Sequence, residues 1–272
     1  MRIIEVEDEP EYGVALGSIL VSLLEPAEGQ AQAFHRWYER DHFYAGCMTG
    51  DSFFAGRRFV ATRPLRALRY PASSAAVADS SIGSYLALYW IERGHHEKTE
   101  QWAVDRVLWL GEHGRMEGGA GRATVHASFY GHRWAACRDE DGVPPEVALD
   151  HPFAGVVMLI CQRPEGVGRD ERDRWLLESQ LPKMLPGSDV ALCLSLDPFQ
   201  LPEESPAYVP TTEGSERRSL ELYFLDRDPR ESWDALFASF GAGQAEAGMG
   251  EVAFAAGFIP TIPGTDRYAD EV

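Results

Sequence analysis

The residue types best suited to chemistry crowd into one short run, Phe34-His-Arg-Trp-Tyr-Glu-Arg-Asp-His42. With about 3.6 residues per helical turn, Phe34, Trp37, Tyr38, Asp41, His42 and Ala45 share one face. The stripe begins apolar, as a face packed on a sheet does, and Asp41 and His42 break it near the helix end. An imidazole there, with an ordinary pKa of about 6.5, suits proton transfer at neutral pH. It needs hydrogen-bond partners or a wet cavity, because an unsatisfied buried polar group costs about 1–3 kcal/mol. The mouth of a barrel would supply that cavity. Asp41 points about 100° away around the helix, so it need not touch the imidazole. The competing reading makes His42 a cap at the negative end of the helix dipole.

Strands carry the other candidates. In Ala123-Thr-Val-His-Ala-Ser-Phe-Tyr-Gly-His132, alternation puts His126, Ser128 and Tyr130 on one side, with His132 in register. Lining a barrel, His126 and Tyr130 would hold or protonate a substrate oxygen; facing solvent, they would be inert. Arg57 and Arg58 follow Gly56 in a strand, so one is expected to be exposed and the other to meet a carboxylate or an anionic ligand. Tyr44 and Tyr89 offer phenol donors, although Tyr89 has a counterpart in Tyr223, which favours packing. His35 and Glu39 read as a surface i,i+4 pair, and His95-His96-Glu97 as a solvated helix start unsuited to chelation. The Gly-rich run Glu117–Arg122 reads as a loop before a strand. The chain has no GxSxG, HExxH or P-loop motif, which disfavours serine-hydrolase, zincin and P-loop chemistry. Neither a metal nor a cofactor is expected.

The elements that must position these groups come twice. Gly17–Pro26 is an apolar run ended by proline and followed by a helical segment with Trp37; Ala154–Pro164 is another, followed by Trp175. The interval from Pro26 to Pro164 equals that from Trp37 to Trp175, which aligns the halves here without a gap. Leu86–Glu92 and Leu220–Asp226 match at a slightly shorter interval. Helical segments His96–Gly111 and Pro229–Phe240 follow them, and strands near Ala123–Tyr130 and Glu251–Phe258 close the halves. Further strands are expected at Phe53–Thr62 and Asp189–Leu196. The pattern is α+β, a tandem pair of ferredoxin-like βαββαβ repeats covering residues 1–140 and 141–272. Face-to-face packing of the two antiparallel sheets buries both inner faces and makes an intrachain α/β barrel. The acidic, proline-rich Asp139–Pro145 marks the boundary. His42 has Gln180 at the equivalent position, and the strand bearing His126 and Tyr130 matches one where small groups, Ala253, Ala255 and Gly257, are expected on that face. The first repeat is therefore expected to carry the site and the second to be mainly structural.

The chain of 272 residues carries 25 Lys and Arg against 43 Asp and Glu, a formal net charge of −18. Nucleic acid and anionic membrane surfaces are poor partners for such a chain. Four cysteines without paired spacing, no leader-like start and no long apolar run point to a reduced cytoplasmic protein.

The run Phe34–His42 with Phe43-Tyr44, then Phe54-Ala-Gly-Arg-Arg-Phe59, resembles the helix and second strand of the dimeric α/β-barrel superfamily. The segment Phe258-Ile-Pro-Thr-Ile-Pro-Gly-Thr-Asp266-Arg-Tyr268 is similar to the tail of its EthD-like members. That resemblance implies a superfamily of cofactor-free monooxygenases, lactone isomerases, polyketide cyclases and haem enzymes. The expectation is a cofactor-independent isomerase, cyclase or lyase acting on a small apolar or aromatic carbonyl or hydroxy compound. His42 would be the general acid or base, with Trp37, Tyr38, Asp41, Tyr44, Arg57, Arg58, Tyr89, His126, Tyr130 and His132 around the substrate. A non-catalytic binding or accessory protein, or a monooxygenase or haem enzyme of the same superfamily, is the alternative. Association into a homodimer is also expected to be possible.

Overall fold

The computed structural model describes the chain except residues 9, 11, 12, 117, 119, 120 and 200–214. The elements run β1 (Arg2–Glu5), β2 (Leu16–Glu25), α1 (Ala31–Trp37), β3 (Phe53–Val60), α2 (Arg63–Arg66), β4 (Tyr85–Glu92), α3 (His96–Glu112) and β5 (Ala123–Cys137). The second half gives β6 (Gly155–Gln162), α4 (Arg169–Trp175), α5 (Leu181–Met184), β7 (Val190–Pro198), β8 (Arg218–Leu225), α6 (Pro229–Leu236), α7 (Phe240–Glu246) and β9 (Glu251–Pro260). The expected Pro229–Phe240 helix is thus two helices. The edge strand β1 has no counterpart in the repeat pattern.

The strands are hydrogen-bonded in the order β1-β5-β2-β4-β3-β9-β6-β8-β7, and β7 pairs again with β5. That last pairing closes an eight-stranded antiparallel barrel from the two repeats, as the sequence pattern predicts. The two seams differ. β5 and β7 pair from Tyr130/Pro198 to Cys137/Leu192, whereas β3 and β9 share only Phe59/Pro260 and Val60/Ile259.

Directly paired residues face the same side of a sheet, so the register assigns inside and outside. Val21 pairs Leu88 and Ser128, and Met158 pairs Leu222 and Ala256. These rows point into the barrel, where Ile19, Leu86, Ile160, Leu194 and Phe254 complete the core. Tyr89, Ala87 and Arg58 of the first sheet, and Leu159, Tyr223 and Ala255 of the second, face outward beneath the helices. Strands β4 and β8 are therefore buried on both faces, which explains their unbroken apolar runs. The register also corrects the gapless alignment. Val21 is equivalent to Met158, an interval shorter by one than that from Pro26 to Pro164, so the second repeat gains a residue before Pro164.

Each half buries an ionised group under its helices. Arg172 of α4 donates to Glu221 of β8 at 2.6 and 3.0 Å, and to Gln244 of α7 at 2.9 Å. Burial alone would raise the Glu221 carboxyl, but the Arg172 guanidinium holds it below its ordinary value.

The inter-repeat linker closes the barrel beside β4. Trp90 Nε1 donates to the Pro145 carbonyl at 2.8 Å. Arg57, facing inward opposite Leu88, donates to the carbonyls of Leu149 and His151 at 2.9 and 2.5 Å. Leu149 and Phe153 are buried there. Between β3 and β4, Arg69 donates to the carbonyls of Ser80, Ile82 and Gly83 and lies over the rings of Phe254 and Phe258. Neither Arg57 nor Arg58 is exposed, contrary to the strand-alternation argument, because a barrel wall covered by helices has no solvent face.

Candidate functional site

The helix bearing His42 is continuous beyond α1 but widens into π-turns over Tyr38–His42 and Tyr44–Met48. The Phe43 N–H donates to the Tyr38 carbonyl, five residues back. The second repeat widens at the equivalent place, Leu176–Gln180, with Leu181 N–H donating to the Leu176 carbonyl. Because both repeats share the π-turn, it belongs to the fold; what differs is the side chain it displays, His42 against Gln180. The wider turn also alters the face expected from the α-helical period.

The site lies on the outer face of the first sheet, between helix and strands, and not at a barrel mouth. The His42 ring stacks on Trp37 at 4.5 Å with planes 19° apart, and meets the edge of Tyr38 at 5.0 Å. Gly46 packs against the ring: a Cβ there would stand 3.1 Å from Cε1 and 3.3 Å from Nδ1. Among the described residues, His42 Nδ1 is buried without a hydrogen-bond partner. Burial, and then the Arg122 charge, push the His42 pKa down to about 4, with Arg58 and Arg115 acting the same way and Asp41 opposing. The ring is therefore neutral at pH 7. Asp41 does not touch it; the carboxylate pairs with Arg115. Trp37 Nε1 donates to the Arg115 carbonyl at 2.9 Å, and Arg122 lies over the Trp37 ring. The segment carrying Arg115 and Arg122 thus covers this end of the helix; residues 117, 119 and 120 of the expected Glu117–Arg122 loop lie outside the described residues.

Beneath the helix, Tyr89 donates its hydroxyl proton to the Tyr38 hydroxyl at 3.0 Å. Burial pushes the Tyr38 phenol up to about 12, so both stay protonated. The Arg58 guanidinium lies over the rings of Tyr38 at 4.6 Å and Tyr85 at 5.4 Å. Its Nη1 donates to His35 Nδ1 and to the His35 carbonyl, while Nη2 is buried without a partner among the described residues. Since Arg58 occupies Nδ1, His35 carries its proton on Nε2 and donates it to the Thr265 carbonyl at 2.9 Å. The expected i,i+4 contact with Glu39 is present, His35 Nε2 lying 3.4 Å from Glu39 Oε2, but His35 is 1 % exposed, so the pair is not at the surface. The Arg58, His35 and Thr265 chain ties the C-terminal tail of one repeat to the helix of the other.

The register identifies what the second repeat has instead. Arg58 matches Ser195 and Ala87 matches Glu221, while Tyr38 and Leu176 open the equivalent π-turns. The second half gives its buried arginine a carboxylate; the first half leaves Arg58 with aromatic rings and an imidazole. Burial accordingly lowers the Arg58 pKa.

The remaining expected residues do not join this cluster. Tyr44 is 57 % exposed. Arg57 is spent on linker carbonyls. His126 and Tyr130 do face the barrel, where His126 Nε2 and the Tyr130 hydroxyl share a hydrogen bond at 2.7 Å, and burial followed by Arg218 pushes His126 down to about 4. Their barrel-facing counterparts are Phe254 and Phe258, not the small residues expected, because Ala255 and Gly257 fall on the opposite face and Ala253 sits at a register shift of β9. His132 lies farther along β5, opposite Leu196. His96 is not a solvated helix start: it bonds Ser18 Oγ at 3.2 Å and stacks on Phe199 at 3.6 Å. Sequence reasoning missed the part played by His35, Tyr85 and Gly46; the period that grouped Phe34 with Tyr38 gave no signal for them.

No family model matches the chain, and no curated protein matches it. Solved structures do. An anthrone oxidase-like protein superposes with a TM-score of 0.52 at 10% identity, over 97% of this chain and 98% of the other. A candidate chlorite dismutase gives a TM-score of 0.52 at 11% identity, over 93% and 98%. At these identities the likeness is one of fold: the dimeric α/β barrel, here with both halves in one chain.

Among the described residues no group of three or more His, Cys, Asp or Glu is placed to hold a metal ion, and no helix is long and apolar enough to cross a membrane. Haem, which the sequence resemblance leaves as an alternative, fits neither helix–sheet layer. The second layer is closed by Leu176, Leu181, Trp233, Phe237 and Phe240 and offers no imidazole. The first holds two imidazoles, but Arg58 and the Thr265 carbonyl take both nitrogens of His35, and the His42 ring packs against Trp37 and Gly46.

Proposed function

We propose that the chain is a cofactor-independent enzyme that removes a proton beside the carbonyl or phenol oxygen of a small aromatic or apolar compound. Neutral His42 accepts the proton, and Arg58 with the Tyr38 hydroxyl stabilises the negative charge left on the oxygen. The observation that carries this reading is Arg58 itself, a buried cation whose Nη2 is unpartnered and which has no contacting carboxylate among the described residues. A cation kept so suits an oxygen that becomes anionic during reaction. The arginines that lower the His42 pKa also favour the enolate, and the enolate's charge then raises the basicity of His42. Return of the proton to another carbon gives an isomerisation; loss of a leaving group from the same anion gives a lyase reaction. Reaction of that anion with dioxygen is the monooxygenase alternative, and it begins with the same proton transfer. The EthD-like resemblance of the helix and tail, a cytoplasmic setting and a homodimer stay part of this proposal.

Anthrone is a suitable first probe: its methylene is acidified by a conjugated carbonyl, and one fold neighbour is an anthrone oxidase-like protein. Deuterium uptake at that methylene under nitrogen reads proton removal without any later step. Wild-type protein is expected to exceed the buffer rate, and His42→Gln to lose about 100-fold of that excess. Equal rates for the two proteins, with His42→Gln folded by circular dichroism, would refute the assignment.

A further inference from the structure

At the barrel end bordered by β1, well away from His42, lies a cleft of about 420 Å³. His132 of β5 lines it and is only 7 % exposed; the backbone at Leu16 and Trp134 lies near its ring, but neither ring nitrogen makes a well-aligned hydrogen bond among the described residues. Beside it, Arg93 Nε is also buried and unpartnered, although Nη2 of the same side chain donates to the Asp8 carbonyl at 3.0 Å. Buried polar groups in folded proteins are nearly always bonded, so several left open on one cleft call for a partner that the described chain does not provide. A shift in the β5–β7 register between His132 and Trp134 breaks the ladder here, an irregularity often found where a side chain is re-aimed.

The charges around the cleft define that partner. Arg2 and Arg93 line it together with Glu5, Asp8 and Glu146. Arg2 is held by the Glu140 carbonyl, and Glu146 Oε1 accepts the Leu16 N–H at 3.3 Å, so both are fixed in place. A simple anion would meet three carboxylates, and a simple cation two arginines. A molecule carrying both charges meets each with its opposite. Ile4, Pro10 and Pro144 give the same cleft apolar wall.

We propose that this cleft binds a free α-amino acid with an apolar side chain, its carboxylate on Arg93 and His132 and its ammonium on the rim carboxylates. The neutral imidazole donates through one nitrogen and keeps the other as an acceptor. This site is independent of the chemistry proposed for His42.

L-leucine, 4-methylpentanoate and isoamylamine separate the two charges on one carbon skeleton. In calorimetric titrations of the full chain, L-leucine is expected to bind, and the acid and amine to bind at least about tenfold more weakly. His132→Leu should abolish L-leucine binding, and Glu146→Gln should weaken it; where His132→Leu fails to fold, Arg93→Gln takes its place. His42→Gln should bind L-leucine as wild type does. No heat with L-leucine, binding of 4-methylpentanoate as tight as L-leucine, or undiminished binding by the folded His132 or Arg93 variant would each overturn the proposal.

Discussion

Substituting Gly46 by Ala tests whether the imidazole clamp matters. The new methyl would stand 3.1 Å from Cε1, 3.3 Å from Nδ1 and 3.4 Å from Nε2 of His42. Such contacts are a few tenths of an ångström too short, and the ring cannot move freely because it is stacked on Trp37. Overpacking of this kind costs about 1–3 kcal/mol. Replacing a helical glycine with alanine returns roughly 0.5–1 kcal/mol. The net cost is therefore about 0–2.5 kcal/mol, a fall of up to about 10 °C in Tm for a chain of this size. Function should suffer more than stability. A misplacement of about 1 Å can cost 100-fold, so a few tenths should cost about tenfold in deuterium exchange. Thermal unfolding followed by circular dichroism gives the first quantity, and the exchange rate gives the second. Ring-proton shifts of His42, set by the Trp37 ring current, report the displacement itself. Unchanged exchange with displaced ring shifts would refute the idea that the clamp positions a reacting group.

Two further outcomes follow from the buried charges. His42, His126 and His132 each fall from about 6.5 to about 4 on folding. The unfolded chain therefore binds protons that the folded chain resists. Stability complete above about pH 6.5 should be lost as pH falls toward 4, by up to about 3 kcal/mol for His132, the least solvent-exposed of the three; a urea midpoint constant over that range would contradict this. Arg172→Met leaves Glu221 buried and uncompensated, and should cost about 3–5 kcal/mol in denaturant unfolding, whereas Arg172→Met with Glu221→Leu should recover most of it. Equal losses in the single and double variants would show that the pair itself stabilises the fold.

Much of the fold was legible because the repeat states it twice. The matched intervals between prolines, tryptophans and apolar runs located both helices and the paired strands, and two half-covered sheets in one chain leave few alternatives to a closed barrel. What periodicity could not decide is which of two buried faces a residue occupies. In a barrel wrapped by helices, inside and outside are both dry, so Leu88 and Tyr89 look alike in sequence although one faces the core and the other the helix. That is why His42 was expected at a barrel mouth, and Arg57 or Arg58 in solvent. The π-turn leaves no compositional mark, since Tyr38–His42 and Leu176–Gln180 share it with different side chains. The polar bonds of Arg58 and His35 were hidden for another reason. They depend on the Thr265 carbonyl, in the tail of the opposite repeat, and no local pattern reports such a contact. The asymmetry of the halves, by contrast, was visible at His42 and Gln180, and the structure extends it to Arg58 and Ser195.

The most direct test of the account is the pH dependence of kcat/KM for anthrone methylene exchange, which reports groups in the free enzyme. A neutral base with the His42 pKa of about 4 predicts a rate flat from about pH 5.5 to 8. The rate should fall on the acid side with a midpoint near that value, and His42→Gln should lose this limb. A midpoint of about 6.5, or an acid limb that persists in the His42 variant, would contradict the account.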